Sequence, residues 1–220
     1  MKLYLIRHGK TEWNLERRYQ GANGDSPLLP QSYEDIKQLA SFIKGISFDA
    51  LFTSPLKRTI TTSKELLKAL NQTQVLITED DRLKEFGLGD LEGRTFTECS
   101  KNYPSQIKAF RENPAIYDPS AFGGETFQSV IARGNQFIKE ILAQYGSTDA
   151  NILIISHGAA LNAIIKSQLH VPLADMRKDG GLANTSLSIL ENKNSSQEFE
   201  CLMLNNTSYL TKKPEKSDTV

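Results

Sequence analysis

Arg7, His8 and Gly9 follow one another where the first apolar run of the chain, Leu3 to Ile6, comes to an end. A cation, an imidazole and a residue without a side chain stand in direct succession. The pair His157-Gly158 closes a second apolar run in the same way, inside "ILIISHGAALNAII". Phosphate is the chemistry such residues suit. Arg7 and Arg58 can offer forked guanidinium donors to phosphoryl oxygens. Gly9 and Gly158 let backbone N–H groups approach an anion, and a helix starting near His157 adds its positive end. A single histidine at a strand end is more often a structural hydrogen-bonding group. Two His-Gly junctions together with two arginines tip the reading to a shared pocket. Catalysis there also needs a proton donor. The Gly-rich stretch "DRLKEFGLGDLEG" offers Glu85 and Asp90, and spacing alone does not choose between them.

These residues can meet only if the strands that carry them lie side by side. Apolar runs of strand length alternate with segments of helical period, the pattern of an α/β protein with three layers, a mainly parallel sheet and helices on both faces. The strands are expected at Leu3–Ile6, Ala50–Thr53, Val75–Thr78 and Ile152–Ile155, with an antiparallel pair of edge strands at Ser186–Leu190 and Phe199–Leu204 around a mobile loop, "ENKNSSQE". In such a sheet the carboxyl ends of the strands, near a switch in strand order, form the ligand crevice. Ser32-x-x-Asp35 has the form of a capping box for a helix carrying Ile36, Leu39, Ala40 and Ile43 and ending at Gly45. Ser54-Pro55 predicts a helix from Pro55 to about Leu70. Phe127, Val130, Ile131, Phe137, Ile138, Ile141 and Leu142 predict a long one stopped by Gly146. The segment 94–125 is broken by Pro104, Pro114, Pro119 and Gly123-Gly124 yet holds five aromatic residues, and reads as a short-helix lid inserted into one domain of residues 1–210. The polar tail 211–220 should fray.

Lys plus Arg and Asp plus Glu each number 26 in the 220 residues, so the formal net charge is zero and no global field favours nucleic acid or anionic lipid. Any anion site must be local. No apolar run approaches the ~20 residues of a membrane span or a signal-peptide pattern, which predicts a soluble, cytoplasmic protein. Cys99 and Cys201 stand alone, without the spacing of a zinc site or a disulfide framework. No metal ligand cluster is evident and no cofactor is expected.

"RHGKTEWN", "SPLKRT", "RLKEFGLGDLEG", "GGET" and "SHG", in that order, resemble the histidine phosphatase superfamily, the branch of cofactor-dependent phosphoglycerate mutases and related phosphatases. The likeness runs from Lys2 to about Leu190 and implies a phosphoglycerate mutase-like fold. It further implies that His8 is the nucleophile, that Arg7, Arg58 and His157 hold the phosphoryl oxygens, and that Glu85 protonates the leaving oxygen. Asn14 closes the first motif with Thr11 before it, Gln20-Gly21 matches a substrate-contacting turn, and Gly158 lies beside the second histidine. The adjacency of Arg7, His8 and Gly9 then has a physical reason. An unprotonated imidazole attacks phosphorus only when nearby cations spread the oxygens' charge and fix an in-line approach. Glu85 would act twice, as acid and then as base, with arginines in place of a metal ion.

The expected activity is metal-independent hydrolysis of a small-molecule phosphomonoester: the mutases of the superfamily it resembles typically carry a longer insertion with basic residues that grip the substrate carboxylate, whereas between Arg94 and Glu125 this chain has only Lys101, Lys108 and Arg111 among aromatic and proline residues. A phosphoglycerate mutase is the alternative within the enzyme class, and a non-catalytic phosphate-binding regulatory module the alternative outside it. Neither nucleic acid nor membrane is an expected partner, and an exposed edge strand near Ser186–Leu190 would allow a homodimer. Phe110, Tyr117 and Phe122 could accept an apolar part of the substrate or simply pack the lid. Trp13 is expected to pack its loop, Lys10 to be a solvated charge or to widen the positive mouth, and His170 to be structural or exposed.

Overall fold

The computed structural model describes residues 1–193 and 198–214. Six strands form one sheet: β1 (Lys2–Arg7), β2 (Ala50–Thr53), β3 (Ile77–Glu79), β4 (Asn151–Ser156), β5 (Leu187–Glu191) and β6 (Glu200–Asn206). Their order is β3-β2-β4-β1-β5-β6, with the first four mutually parallel and β5 and β6 added antiparallel. From β1 the chain crosses over β4 to reach β2, and from β4 it crosses over β1 to reach β5. The two connections leave in opposite directions, so the crevice expected of an α/β sheet opens at the carboxyl ends of β1 and β4.

Both faces of the sheet are covered. Leu3, Leu5, Ile152 and Ile154 pack against α6 (Phe127–Tyr145) and α7 (Gly158–Gln168) through Phe137, Ile138, Ile141, Leu161, Ile164 and Ile165. Tyr4, Ile6, Leu51, Leu153 and Ile155 face α2 (Pro30–Phe42) and α3 (Lys57–Ala69). Burial on both faces explains why β1 and β4 read as continuous apolar runs. A third cluster, with Phe86, Phe110, Tyr117, Phe122 and Phe127 at its centre, holds the lid helices α4 (Phe96–Asn102) and α5 (Pro104–Glu112) over the crevice. A short α1 (Glu12–Leu15) follows the first His-Gly junction.

Several boundaries differ from expectation, each for a local reason. Ser32 does not cap α2. The helix starts at Pro30, whose ring presets the first turn, and the Ser32 hydroxyl instead donates to the Lys10 carbonyl at 2.6 Å. α3 begins at Lys57 and not Pro55, because its first free N–H is taken by the Asp25 carboxylate from a distant loop (2.7 Å). β3 starts two residues later than the expected Val75–Thr78 and ends one later, with Val75 buried and Leu76 exposed. β5 is no edge strand: it pairs with β1 on one side and β6 on the other, which leaves β6 as the edge. Residues 194–197 of the loop expected to be mobile, and 215–220 of the tail, lie outside the described residues. The tail does not fray from its start, since Thr211 exchanges two hydrogen bonds with Gln38 of α2.

Candidate active site

Arg7 lies opposite Ser156 in the β1–β4 register, so the next residue of each strand leaves the sheet beside the other. His8 and His157 are both buried, with ring centroids 5.3 Å apart. Their hydrogen bonds assign their protons. His8 Nδ1 lies 2.8 Å from the Gly9 carbonyl, which can only accept, so Nδ1 carries the hydrogen and Nε2 keeps a bare lone pair. For His157, the Arg58 Nε–H donates to Nδ1 at 3.2 Å, so the hydrogen sits on Nε2 and is given to Ser54 Oγ at 2.8 Å. Burial, reinforced by the Arg58 and Arg7 charges, holds both imidazoles well below the ordinary histidine range. Both rings are neutral near pH 7.

Arg7, His8, Asn14, Gln20, Gly21, Arg58 and Glu85 line one cavity, closed on the lid side by Tyr19, Phe86, Phe96 and Phe110. Arg58 is almost completely enclosed and tightly held. Its Nη1 donates to the Gly24 carbonyl (2.7 Å) and to Asp25 (3.1 Å), and its Nη2 to the Gly21 carbonyl (2.8 Å). Four of its five N–H donors are thereby spent, and one Nη2 hydrogen remains for a ligand. Arg7 is fixed through Nη1 on the Leu182 carbonyl. Asn14 accepts at Oδ1 from the Thr11 backbone (3.1 Å) and from Asn184 (3.3 Å), which leaves its NH2 as the group available to a ligand.

Three expected site residues stand behind the cavity wall. Thr11 caps α1 and accepts from Gln20 Nε2 at 2.8 Å. His157 has both ring nitrogens committed to Arg58 and Ser54, so in this structure it orients the clamp. Gly158 makes room for a side chain: a Cβ there would lie 3.0 Å from Arg7 Nε and 3.1 Å from its Cζ. Gly9 likewise does not aim its N–H at the cavity. That group donates to Thr62 Oγ1 at 3.1 Å, and a Cβ on Gly9 would meet Ser32 Cβ at 2.8 Å.

The two candidate acids stand in different places. Asp90 is exposed, whereas Glu85 faces the cavity. The positive end of α7 is occupied by Glu85 itself. Ala160 N donates to Oε1 (2.8 Å) and Ala159 N to Oε2 (3.1 Å), while Phe86 N adds a second bond to Oε1 (2.9 Å). Oε2 is the less committed oxygen and the natural carrier of a transferred proton.

Sequence reasoning did not single out the residues that hold these groups in place. The Glu92 carboxylate accepts from the backbone N–H of Ala22, Asn23, Gly24 and Leu88 at 2.9 to 3.1 Å. It shapes the loop whose Gly21 and Gly24 carbonyls grip Arg58. Gly21 has φ +62°, and a Cβ there would strike Glu92 Oε1 at 2.2 Å. Arg133 of α6 donates to the carbonyls of Arg82, Lys84 and Glu85 and pairs with Glu125, supporting the Glu85 segment from behind. Two glycines, at 21 and 24, in a loop whose N–H groups need an anion were the available signal.

Trp13 packs against the positions of Gly24 and Gly93, as a loop-packing role requires. His170 is exposed, 3.4 Å from Glu198. Lys10 does not line the cavity. Phe110 does, while Tyr117 and Phe122 are buried in the lid. Among the described residues no group of three or more His, Cys, Asp or Glu could hold a metal ion, and no helix is long and apolar enough to cross a membrane.

Residues 3–207 match the profile of the histidine phosphatase superfamily (branch 1). The chain is 30% identical to phosphoserine phosphatase 1 of Hydrogenobacter thermophilus over 190 residues, 86% of each chain. It is 31% identical to the 2,3-bisphosphoglycerate-dependent phosphoglycerate mutase of Mesorhizobium japonicum over 166 residues, 74% of this chain and 79% of that one. Among solved structures, Bacillus stearothermophilus YhfR superposes with a TM-score of 0.85 at 29% identity, covering 94% of this chain and 98% of that one.

Proposed function

We propose, from the premise that the chain belongs to the histidine phosphatase superfamily, that it hydrolyses a small-molecule phosphomonoester through a phosphohistidine on His8. The observation that carries this reading is the bare Nε2 of His8, left by the Nδ1 bond to Gly9 in a cavity that is also lined by Arg7, Arg18, Arg58 and Glu85. Nε2 attacks phosphorus and the ester oxygen departs with the proton of Glu85, giving phosphohistidine and an alcohol. Glu85 then takes a proton from water, whose oxygen attacks the phosphoryl group. Inorganic phosphate leaves and His8 is restored. Arg7 and Arg58 stabilise the charge on the equatorial oxygens, the task a metal ion performs elsewhere. His157 acts by fixing Arg58. Neither nucleic acid nor membrane has a part in this scheme.

Transfer to water is favoured over transfer back to a bound acid by the lid. Its cations Lys101, Lys108 and Arg111 are absent from the cavity lining, and Arg111 is engaged with the Tyr19 hydroxyl (3.0 Å) and the Phe96 ring. The test is phosphate release from a panel of phosphomonoesters in EDTA, wild type beside His8→Ala, with isomerisation of 3-phosphoglycerate followed separately. Release that disappears in the variant supports the proposal. Isomerisation without release would make the protein a mutase, and neither activity would leave a binding module.

A further inference from the structure

Arg177 follows a short 3-10 turn, Leu173–Asp175, on the segment that leads from α7 to β5. It is 5% exposed, yet its Nε and Nη1 are buried without a hydrogen-bond partner. Such a state is unusual for a guanidinium, because buried donors are nearly always satisfied and buried charges nearly always paired. Its neighbours are informative. The guanidinium carbon stands 5.5 Å from the centroid of the Phe110 ring, and Phe110 is a wall of the catalytic cavity. Burial pulls its guanidinium down to about 10; the carboxylate of Glu85, a further wall, is the largest influence opposing that pull, while the neighbouring Arg111 charge adds to the pull. A second orphan lies against the same ring. The Tyr117 hydroxyl is buried without a partner, with ring centroids of Tyr117 and Phe110 5.1 Å apart.

The cation–π contact accounts for the side chain's flat face but not for its in-plane donors. We propose that Arg177 is a specificity-determining residue that receives a carboxylate borne by the leaving portion of the substrate, next to the Glu85 side of the cavity. A rotamer change at Phe110, of the size interface side chains commonly make on binding, would open the way. Charge selects the ligand class. Arg7 and Arg58 serve the phosphoryl group and Arg18, the third arginine of the cavity lining, is tied to Glu16 and the Gly93 carbonyl, so the further guanidinium of Arg177 matches a monoanion such as a carboxylate better than a second phosphate dianion. The substrate class is therefore a phosphomonoester of a hydroxy acid. This inference rests on the proposed phosphatase activity.

Matched pairs of esters test it: 3-phosphoglycerate against glycerol 3-phosphate, and O-phosphoserine against O-phosphoethanolamine, each pair differing at the carboxylate, with p-nitrophenyl phosphate as a general probe. For the wild type we expect kcat/KM for phosphate release to favour at least one carboxylated member on the order of 10- to 100-fold, the range of a charge-assisted pair. Arg177→Met should collapse that ratio toward one, and Arg177→Lys should retain part of it. A wild-type ratio near one in both pairs overturns the inference while leaving the activity intact. So does an Arg177→Met protein that loses both members of a pair equally, the mark of a structural role. Should that variant not fold, the wild-type ratios and Arg177→Lys decide. Absence of release from every ester, p-nitrophenyl phosphate included, overturns the proposed function and this inference with it.

Discussion

The carbonyl of Gly9 determines which nitrogen of His8 can act. Because it fixes the hydrogen on Nδ1, Nε2 carries the bare lone pair, and in the proposed reaction that atom attacks without any reorganisation. Burial and two arginines keep the ring neutral. In an NMR titration, the ring protons of His8 and His157 should therefore hold their neutral shifts as pH falls through 6.5, the ordinary histidine midpoint. Transitions of His8 and His157 at that midpoint would refute the assignment. Gly158 tests the clamp beside it. Gly158→Ala places a methyl 3.0 Å from Arg7 Nε, and the arginine, buried and held by Leu182, must shift. We expect kcat/KM to fall roughly 10- to 100-fold with a small change in melting temperature, since misplacing a positioned charge is costly to the transition state. Types and adjacency drew Arg7 and His8 out of the sequence, whereas Glu85 was separated from Asp90 only by the family resemblance. The place of His157 and Gly158 behind the wall was not legible there, because it depends on which tertiary partners claim their atoms.

At the scale of elements, the site is a meeting of strand ends braced by loops that the local pattern does not connect. Glu92 shapes the loop 21–24, that loop holds Arg58, and Asp25 directly after it accepts from the first N–H of α3. The expected starts of α2 and α3 were displaced for this kind of reason: an acceptor supplied from far along the chain, or a proline, replaced the neighbouring serine. Sequence windows contain no record of such partners. Glu92→Gln keeps the shape but turns one accepting oxygen into a donor facing backbone N–H groups. It should cost about 1–3 kcal/mol of stability, read as denaturant midpoint, and lower kcat/KM about tenfold or more through Arg58. Unchanged activity would show that Arg58 does not depend on that loop.

For the whole molecule, the layered α/β architecture was readable because β1 and β4 are apolar along their length and the helices between are amphipathic. The sheet order was not, since β5 joins it by pairing with β1, a partner far along the chain that the pattern does not encode, and β6 by pairing with β5. The buried neutral histidines also give the fold a pH dependence. The unfolded chain binds their protons near pH 6.5 and the folded protein does not, so stability is fully present above that value and declines as pH falls below it. Between pH 6.5 and 5.5 each contributes a loss of about 1 kcal/mol. Melting temperature should be level from pH 7.5 to 6.5 and drop by pH 5.5, with a smaller drop in His8→Asn. A level profile down to 5.5 would contradict it.

The central claim is that His8 Nε2 takes the phosphoryl group. Its most direct test is to mix the protein with the best ester of the panel, quench in alkaline denaturant within one turnover, and map the phosphate by mass spectrometry. The account predicts an acid-labile, alkali-stable phosphate on the peptide containing His8, lost in His8→Ala and accumulating when Glu85→Gln slows its hydrolysis. Phosphate release at full rate from the His8→Ala protein, or an adduct on any other residue, would contradict it.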